Sequence, residues 1–399
     1  MKINEPYLLI DVNDKYFTFL IIKYNENFEF QVIDFKHIES EGVNDGKIVD
    51  VFLSSQLIRE GLNQIEKKNK LIFKYATVIS NQHNFECINI TGFKKINGSQ
   101  ILNEDITYVL NDIKQTVLKN KKNKSLIHLF NTSFNLDKKN INNLPIGLYG
   151  EFYTHHLTLF LLPQNDLKNL KLIFNKCDLN IERVVLKPFV SSISHLKKTD
   201  DGTIAIINIG KKNSAINVFY KNSFLYFEPF SFGSDIVMKD VSKICLLDMN
   251  VVESMFNEII FDKYIKEKNL NYLGENFFKD SIYRKISISH LQKIVEARIE
   301  EIIDLIYKKN ANIFSIIKDV KQIKITFEDI NFQNNLKEHF KTKFPEDKEI
   351  NCCLIPDKDH LNSSLSTAEL IFNGWEKEAI PIIQTKKSII SRIFTYIFT

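Results

Sequence analysis

Residues 386–399, KKSIISRIFTYIFT, hold the plainest chemistry in this 399-residue chain. On a helical wheel of about 100° per residue, Ile389, Ile390, Ile393, Phe394, Tyr396, Ile397 and Phe398 fall on one side. Ser388, Ser391, Arg392, Thr395 and Thr399 fall on the other, and Lys386 and Lys387 lead in. The segment has no Gly, Pro or acid. It is too short to cross a hydrocarbon core, which takes about 20 apolar residues. The pattern is that of a helix lying in a membrane interface, with its apolar face among acyl chains and its cations on anionic headgroups. The other reading of the same residues is a last helix docked on the protein's own core.

Other reactive side chains point to structural roles. His155-His156 falls in an expected strand, so the two rings face opposite sides and cannot share a ligand set. The cysteines, Cys87, Cys177, Cys245, Cys352 and Cys353, are odd in number and lack CxxC spacing. That usage fits a reducing compartment and gives no zinc site. Cys352-Cys353 reads as two buried small side chains. Ser191-Ser192 lacks a nucleophile-elbow context. The basic run KNKKNK at 119–124 reads as a solvated loop. A net charge of +4 does not argue for nucleic acid. No secretory leader is expected, and no apolar run reaches 18 residues.

The elements that would position these groups follow from periodicity. Strands are expected at 7–11, 17–24 and 28–36, a meander, then a helix at 50–67 and a strand at 74–80. Residues 80–161 read as a separate module: strand-like 85–91, helix 104–118, strands 125–134 and 151–161. Helix 165–177, strand 181–186 and helix 187–196 follow, with Pro188 suited to a first turn. The second half repeats strand–turn–strand at 203–208 and 214–220, with a strand at 224–229. Helices are expected at 241–261, 289–308, 334–344 and 366–375, and a strand at 322–327. Residues 376–385, with Pro381, read as a polar linker. Two halves opening on the same β-meander indicate two α/β lobes.

Two strand–turn–strand units heading similar lobes resemble the actin and sugar-kinase superfamily. There the two turns cradle nucleotide phosphates with backbone amides, so they are rich in Gly. An acid beside each turn handles magnesium and water. The resemblance places Asp11, Asn13 and Asp14 at the first turn, and Asn208, Gly210, Lys211, Lys212 and Asn213 at the second. The first turn, Asp11-Val12-Asn13-Asp14-Lys15, has no Gly, and Asn208 stands where an acid is expected. Thr326-Phe327-Glu328-Asp329-Ile330 lacks the adenosine-contacting Gly pair. Lys211 and Lys212 could neutralise phosphate with their side chains. Otherwise Asp11 reads as a capping or turn residue and the lysines as a solvated tip.

A narrower likeness runs through most of the chain. Gly42-Val43-Asn44-Asp45-Gly46-Lys47-Ile48-Val49-Asp50 resembles the G-[IV]-x-x-G-x-[IV]-x-[DN] segment of FtsA, the actin-like bacterial cell-division family. Leu144-Pro145-Ile146-Gly147-Leu148-Tyr149-Gly150 is similar to its N-P-x-G-[LM]-x-G motif, with Asn143 displaced by one. The stretch from Phe230 to Val241 resembles P-x-x-G-x-x-[IV]-T-x-D-[IV], with Lys239 before Asp240. Val295-Glu296-Ala297-Arg298-Ile299-Glu300-Glu301-Ile302 resembles the E-x-R-x-x-E helix, and Ser366-Thr367-Ala368 the late S-T-A helix start.

The resemblance implies an α/β, actin-like fold of the duplicated ribonuclease-H-like kind, with two lobes and an inserted 1C-type subdomain. Subdomain 1A would take 1–79, 162–198 and 364–376, and 1C 80–161. Subdomain 2A would take 199–240 and 322–363, and 2B 241–321. A linker at 377–385 would lead to a membrane-targeting helix at 386–399. Gly233 and Glu296 join the nucleotide candidates, with ATP and magnesium as the implied cofactors. The implied role is to tie filaments of FtsZ, the tubulin-like division protein, to the cytoplasmic face of the inner membrane and to recruit other divisome proteins. Implied partners are the FtsZ C-terminal peptide, met by Arg284 and Lys285, anionic lipids and further copies of the chain. With most turn glycines missing, the reading is a binding protein and not an enzyme. The alternatives are a PilM-like adaptor of pilus assembly and an actin-fold ATPase or kinase.

Overall fold

A computed structural model describes residues 5–25, 29–197, 202–258, 272–278, 282–328, 330–345, 348–353 and 361–378. The amphipathic segment 386–399 lies outside the described residues. The chain divides into two units. Unit 1 comprises Met1–Asp200, Lys221–Leu225 and Asp357–Thr399, and unit 2 Asp201–Tyr220 and Tyr226–Pro356.

In unit 1, β1 (Tyr7–Val12) pairs antiparallel with β2 (Tyr16–Tyr24), and β2 with β3 (Phe30–Glu39). A two-stranded hairpin follows, β4 (Val43–Asn44) and β5 (Lys47–Ile48). Helix α1 (Val51–Asn69) starts on Asp50, whose carboxylate accepts from Phe52 N at 2.8 Å and Leu53 N at 3.0 Å. That cap satisfies two amides with no intrahelical partner. After α1 the chain re-enters the sheet as β6 (Tyr75–Ser80), parallel to β1, and later as β11 (Asn180–Leu186), parallel to β6. The order is β11-β6-β1-β2-β3. β1 and β6 read as continuous apolar runs because both of their faces are covered.

Between β6 and β11 lies the inserted module. Its sheet runs β7 (Glu86–Lys95), β10 (Phe152–Pro163), β8 (Lys124–Leu136), β9 (Lys139–Ile141), antiparallel throughout. Helix α2 (Asn103–Asn120) covers one face and buries Ile106, Val109, Leu110 and Ile113 against Leu129, Tyr153, Leu157 and Leu159. Helices α3 (Gln164–Asn175) and α4 (Lys187–Ile193) flank β11, and helix Asn362–Asn373 returns to unit 1. There Tyr24 stacks on Phe372 with centroids 4.4 Å apart and donates its hydroxyl to Ala368 O at 2.6 Å.

Unit 2 repeats the plan. Strands β12 (Thr203–Ile209), β13 (Ser214–Tyr220) and β14 (Ser223–Phe230) form a meander. β15 (Val320–Phe327) then pairs parallel to β12, and β16 (Glu349–Cys353) parallel to β15. The order β14-β13-β12-β15-β16 matches that of unit 1 strand for strand. One three-strand meander followed by two parallel crossovers, twice in one chain, is the duplicated ribonuclease-H-like arrangement of actin-like proteins.

The expected single helix at 241–261 is two helices, α5 (Asp235–Cys245) and α6 (Met249–Glu258). Leu246 takes a left-handed φ of 51°, Leu247 N bonds back to Ser242 O at 2.9 Å, and Ser242 Oγ donates to Leu247 O at 2.7 Å. This is a C-terminal stop of the kind glycine usually makes. With leucine there, the apolar periodicity hid it. Residues 377 and 378, read as the start of a linker, are docked: Asn131 N donates to Lys377 O at 2.8 Å, and Glu378 is buried.

Candidate functional site

In open α/β sheets, ligands gather at the carboxyl ends of the parallel strands. In unit 1 those ends are Asp11-Val12 of β1, Ser80 of β6 and Leu186 of β11, with Lys187 next. Asp11 is fully buried, and its Oδ2 accepts from Lys187 Nζ at 2.9 Å. Its Oδ1 has no hydrogen-bond partner among the described residues. The first turn is closed by its own side chain, since Asn13 Oδ1 accepts from Lys15 N at 2.9 Å and Tyr16 N at 3.0 Å. Asp14 Oδ1 accepts from Gly46 N at 3.0 Å, which ties the β4–β5 hairpin to this turn. Gly46 is required there. Its φ is +70°, and a Cβ would lie 2.4 Å from the Asn81 backbone.

Three further groups surround this turn that sequence reading missed. Lys187 neutralises Asp11. Gln82 is fully buried with neither side-chain atom hydrogen-bonded among the described residues. Burial holds the His83 imidazole below its ordinary pKa; nearby Asp14 and Asp45 oppose the shift and Lys187 adds to it. The available signal was position, because Lys187 and Gln82 each lie just past a buried parallel strand.

In unit 2, Asn208, Gly210, Lys211, Lys212, Asn213 and Gly233 come together at the β12–β13 turn. Gly210 N donates to Asn213 O at 3.0 Å, Ser234 N to Gly210 O at 2.9 Å and Asp235 N to Lys211 O at 3.0 Å. A Cβ on Gly233 would sit 2.2 Å from Gly210 O, so only glycine allows this approach. Thr326 Oγ1 donates to Asn208 Oδ1. The amide of Lys211 is already capped, since it donates to Glu328 Oε2 at 2.9 Å. Lys211 Nζ lies 3.8 Å from Glu253. Glu296, on helix Ile288–Ile303, faces His339 with 3.4 Å between Oε1 and Nε2.

A nucleotide's phosphates and magnesium call for free turn amides and an unencumbered acid. Here the amides of Lys15, Tyr16 and Lys211 go to internal oxygens, and Asp11 is neutralised by a lysine. The residues of the two turns do not fit the group.

The expected peptide-binding residues lie in unit 2. The Arg284 guanidinium donates to Leu246 O, and Lys285 Nζ sits 4.3 Å from the Tyr272 ring centroid. Ile244, Leu246, Ile282 and Tyr283 are exposed. His155 and His156 part as expected: His155 turns inward to Asn131 at 3.0 Å, and His156 meets Thr91 at 2.9 Å. Burial pushes His155 down to about 3. It is a neutral core side chain.

No family model matches the chain. Curated relatives do. Over 281 residues it is 21% identical to the cell division protein FtsA of Buchnera aphidicola subsp. Acyrthosiphon pisum (strain APS), covering 69% of this chain and 66% of that protein. Over 305 residues it is 23% identical to the FtsA of Enterococcus hirae, covering 74% and 67%. The chain is a divergent FtsA relative. The match spans 66% of the first FtsA and 51% of the FtsA of Buchnera aphidicola subsp. Schizaphis graminum (strain Sg). Among solved structures, the PilM-PilN type IV pilus biogenesis complex aligns with a TM-score of 0.52 at 10% identity, over 92% of this chain and 97% of that one. At that identity the likeness concerns the fold alone, and it agrees with the duplicated sheets.

Proposed function

We propose that this FtsA relative is a peripheral anchor and scaffold of the bacterial division ring. It ties FtsZ filaments to the cytoplasmic face of the inner membrane through residues 386–399, and it works by binding and not by turnover. The observation that carries this reading is an FtsA-like head joined to a basic amphipathic segment. Among the described residues no helix is long and apolar enough to cross a membrane, so attachment falls to that segment. Partners on this reading are the FtsZ C-terminal peptide at the Arg284–Lys285 face, anionic lipids, other divisome proteins and further copies of the chain. On this reading each turn is degenerate as a phosphate cradle, since in unit 1 the amide of Lys15 and the acid Asp11, and in unit 2 the amide of Lys211, are committed internally. Each short helix buries roughly four large apolar side chains at about 1.5–3 kcal/mol each, most of it offset by ordering. Attachment becomes firm when many copies act together.

The deciding experiment is sedimentation with anionic liposomes. Deleting 386–399 abolishes co-sedimentation, and Ile393→Glu weakens it at least about tenfold, because a charge replaces a buried apolar side chain. Unchanged binding of either variant sinks the anchor. A second reading compatible with the same fold is a PilM-like adaptor of pilus assembly. Absence of binding between the tail-less protein and an FtsZ C-terminal peptide would shift the balance to it.

A further inference from the structure

Six large apolar side chains stand exposed at one end of the inserted module: Phe93, Leu102, Tyr108, Leu148, Tyr149 and Phe152. Phe93 of β7 and Phe152 of β10 stack with centroids 5.5 Å apart. Their neighbours Gly92 and Tyr153 face the core under α2, so by strand alternation the two rings lie on the other face of the sheet. Lys94 lies on the α2 side, with Nζ 2.7 Å from Asp105 and 4.7 Å from the Tyr108 ring centroid. Asp105 also accepts from Leu102 N at 2.7 Å. Ile101 N donates to Leu148 O at 2.8 Å, and Gln100 bridges Tyr149, which joins the six into one patch. Gly147 N on Ile101 O at 2.9 Å and Gly98 N on Gly150 O at 3.0 Å fix the loop that carries Leu148 and Tyr149. Exposed apolar groups gathered in one place mark a contact surface, where scattered ones do not.

The place where the chain leaves the head identifies what is contacted. Glu378, where the described chain ends, bridges Phe130 of β8, and Asn131 N donates to Lys377 O at 2.8 Å. The chain therefore departs from this same module. Residues 379–385 reach at most ~25 Å before the tail begins. From Phe130 to Leu136, which stands opposite Tyr153, is ~20 Å along β8, and the patch lies at that end. A bilayer holding 386–399 thus lies within ~25 Å of Glu378, a distance that takes in the patch.

We propose that the patch is a second membrane contact, seated on the bilayer in which the tail is anchored. This rests on the reading of 386–399 as the anchor. Phe93, Leu148 and Phe152 enter among the acyl chains, and Tyr108 and Tyr149, apolar rings with a polar tip, sit at the headgroup level. Lys94, Lys95, Lys138 and Lys139 are balanced by Glu104, Asp105, Asp137 and Glu151, so the patch has no net charge. Attraction to anionic headgroups is left to Lys386, Lys387 and Arg392 of the tail. Salt therefore screens the tail's contribution and spares that of the patch. Once the tail is bound, the patch meets the bilayer at high effective concentration, so a contact too weak to hold alone strengthens the whole. Two points of attachment also fix how unit 1 stands on the membrane, which a single tether does not.

The test uses the full chain and vesicles of phosphatidylcholine and phosphatidylglycerol with brominated acyl chains, which quench indoles that enter the bilayer. Tyr149→Trp puts an indole in the patch. The chain's own single tryptophan, Trp375, packs edge-on against Phe189 and donates its N–H to Asn222 O, so it serves as the unquenched control. The emission added by Tyr149→Trp should fall at least about twofold on these vesicles, while wild-type emission is unchanged. Phe93 and Tyr149 are 62% and 71% exposed, so replacing both with Ser leaves far-UV circular dichroism unchanged. That double variant should co-sediment at least about threefold more weakly than wild type, by the same factor at low and high salt. No quenching of the added indole while wild type co-sediments refutes the second contact and leaves the anchor standing. A double variant that binds vesicles like wild type but sediments as a smaller species shows an interface between copies, and refutes it too. If wild type itself does not co-sediment, the anchor reading fails and the second contact with it.

Discussion

Replacing Lys187 with Met tests the chemistry of the first turn most directly. The change keeps an unbranched stem and removes the cation from Asp11, whose side chain is 1% exposed and whose Oδ1 already lacks a partner among the described residues. Stranding a buried charge in this way costs about 3–5 kcal/mol. Protonation sets an independent ceiling. Holding a carboxyl of ordinary pKa near 3.9 neutral at pH 7 costs about 4 kcal/mol. The gap left by the ammonium admits some water, so the expected loss at pH 7 is about 2–4 kcal/mol. Denaturant unfolding at pH 7 read by Trp375, which lies in unit 1, measures it. The double variant Asp11→Asn, Lys187→Met should recover most of the loss. A penalty below about 1 kcal/mol, or a double variant no more stable than Lys187→Met alone, would show that Asp11 is not held as a buried charge.

Further outcomes follow from the same turns. Gly46→Ala places a Cβ 2.4 Å from the Asn81 backbone at a φ of +70°. It should cost at least about 2 kcal/mol in the same unfolding assay, and a neutral effect would contradict the hairpin's docking. Titrating Mg-ATP into the wild-type chain by calorimetry should give no saturable heat, and a micromolar Kd would refute the self-filled turns. Glu328→Gln loses the charge that caps Lys211 N. Binding of inorganic phosphate to this variant should be at least about threefold tighter than to wild type, as expected when an internal anion no longer competes; equal affinity would show that Glu328 does not occupy the anion position.

Much of the fold was legible because its signals are local and redundant. Apolar runs such as YLLIDV and TIAIINI mark strands buried on both faces, and their repetition marks the duplication. The break at Leu246 was not legible, since a leucine in the left-handed region looks like any other leucine in a helical pattern. β16 was missed because EINCC is short and follows a polar, charged stretch. The turns could be placed, and their lack of glycine noted, but not what replaces it. Lys187 is 176 residues from Asp11, and Glu328 is 117 from Lys211. Only the parallel strand order brings them together. Glu378 is a sharper case, a carboxylate in a run that reads as linker yet lies 1% exposed against a histidine 250 residues earlier.

The inserted module enters and leaves the molecule at one place. Glu86, the first residue of β7, stands directly opposite Leu161, two residues before the end of β10. Its two ends are therefore about 5 Å apart. Were residues 86–161 an unstructured excursion, closing them would cost about 2.6 kcal/mol more than closing a four-residue turn. Because β7 and β10 close the excursion themselves, the crossover from β6 to β11 experiences it as a hairpin, whatever its length. Such a junction lets a module be enlarged, trimmed or exchanged over evolutionary time without renegotiating the topology of its host.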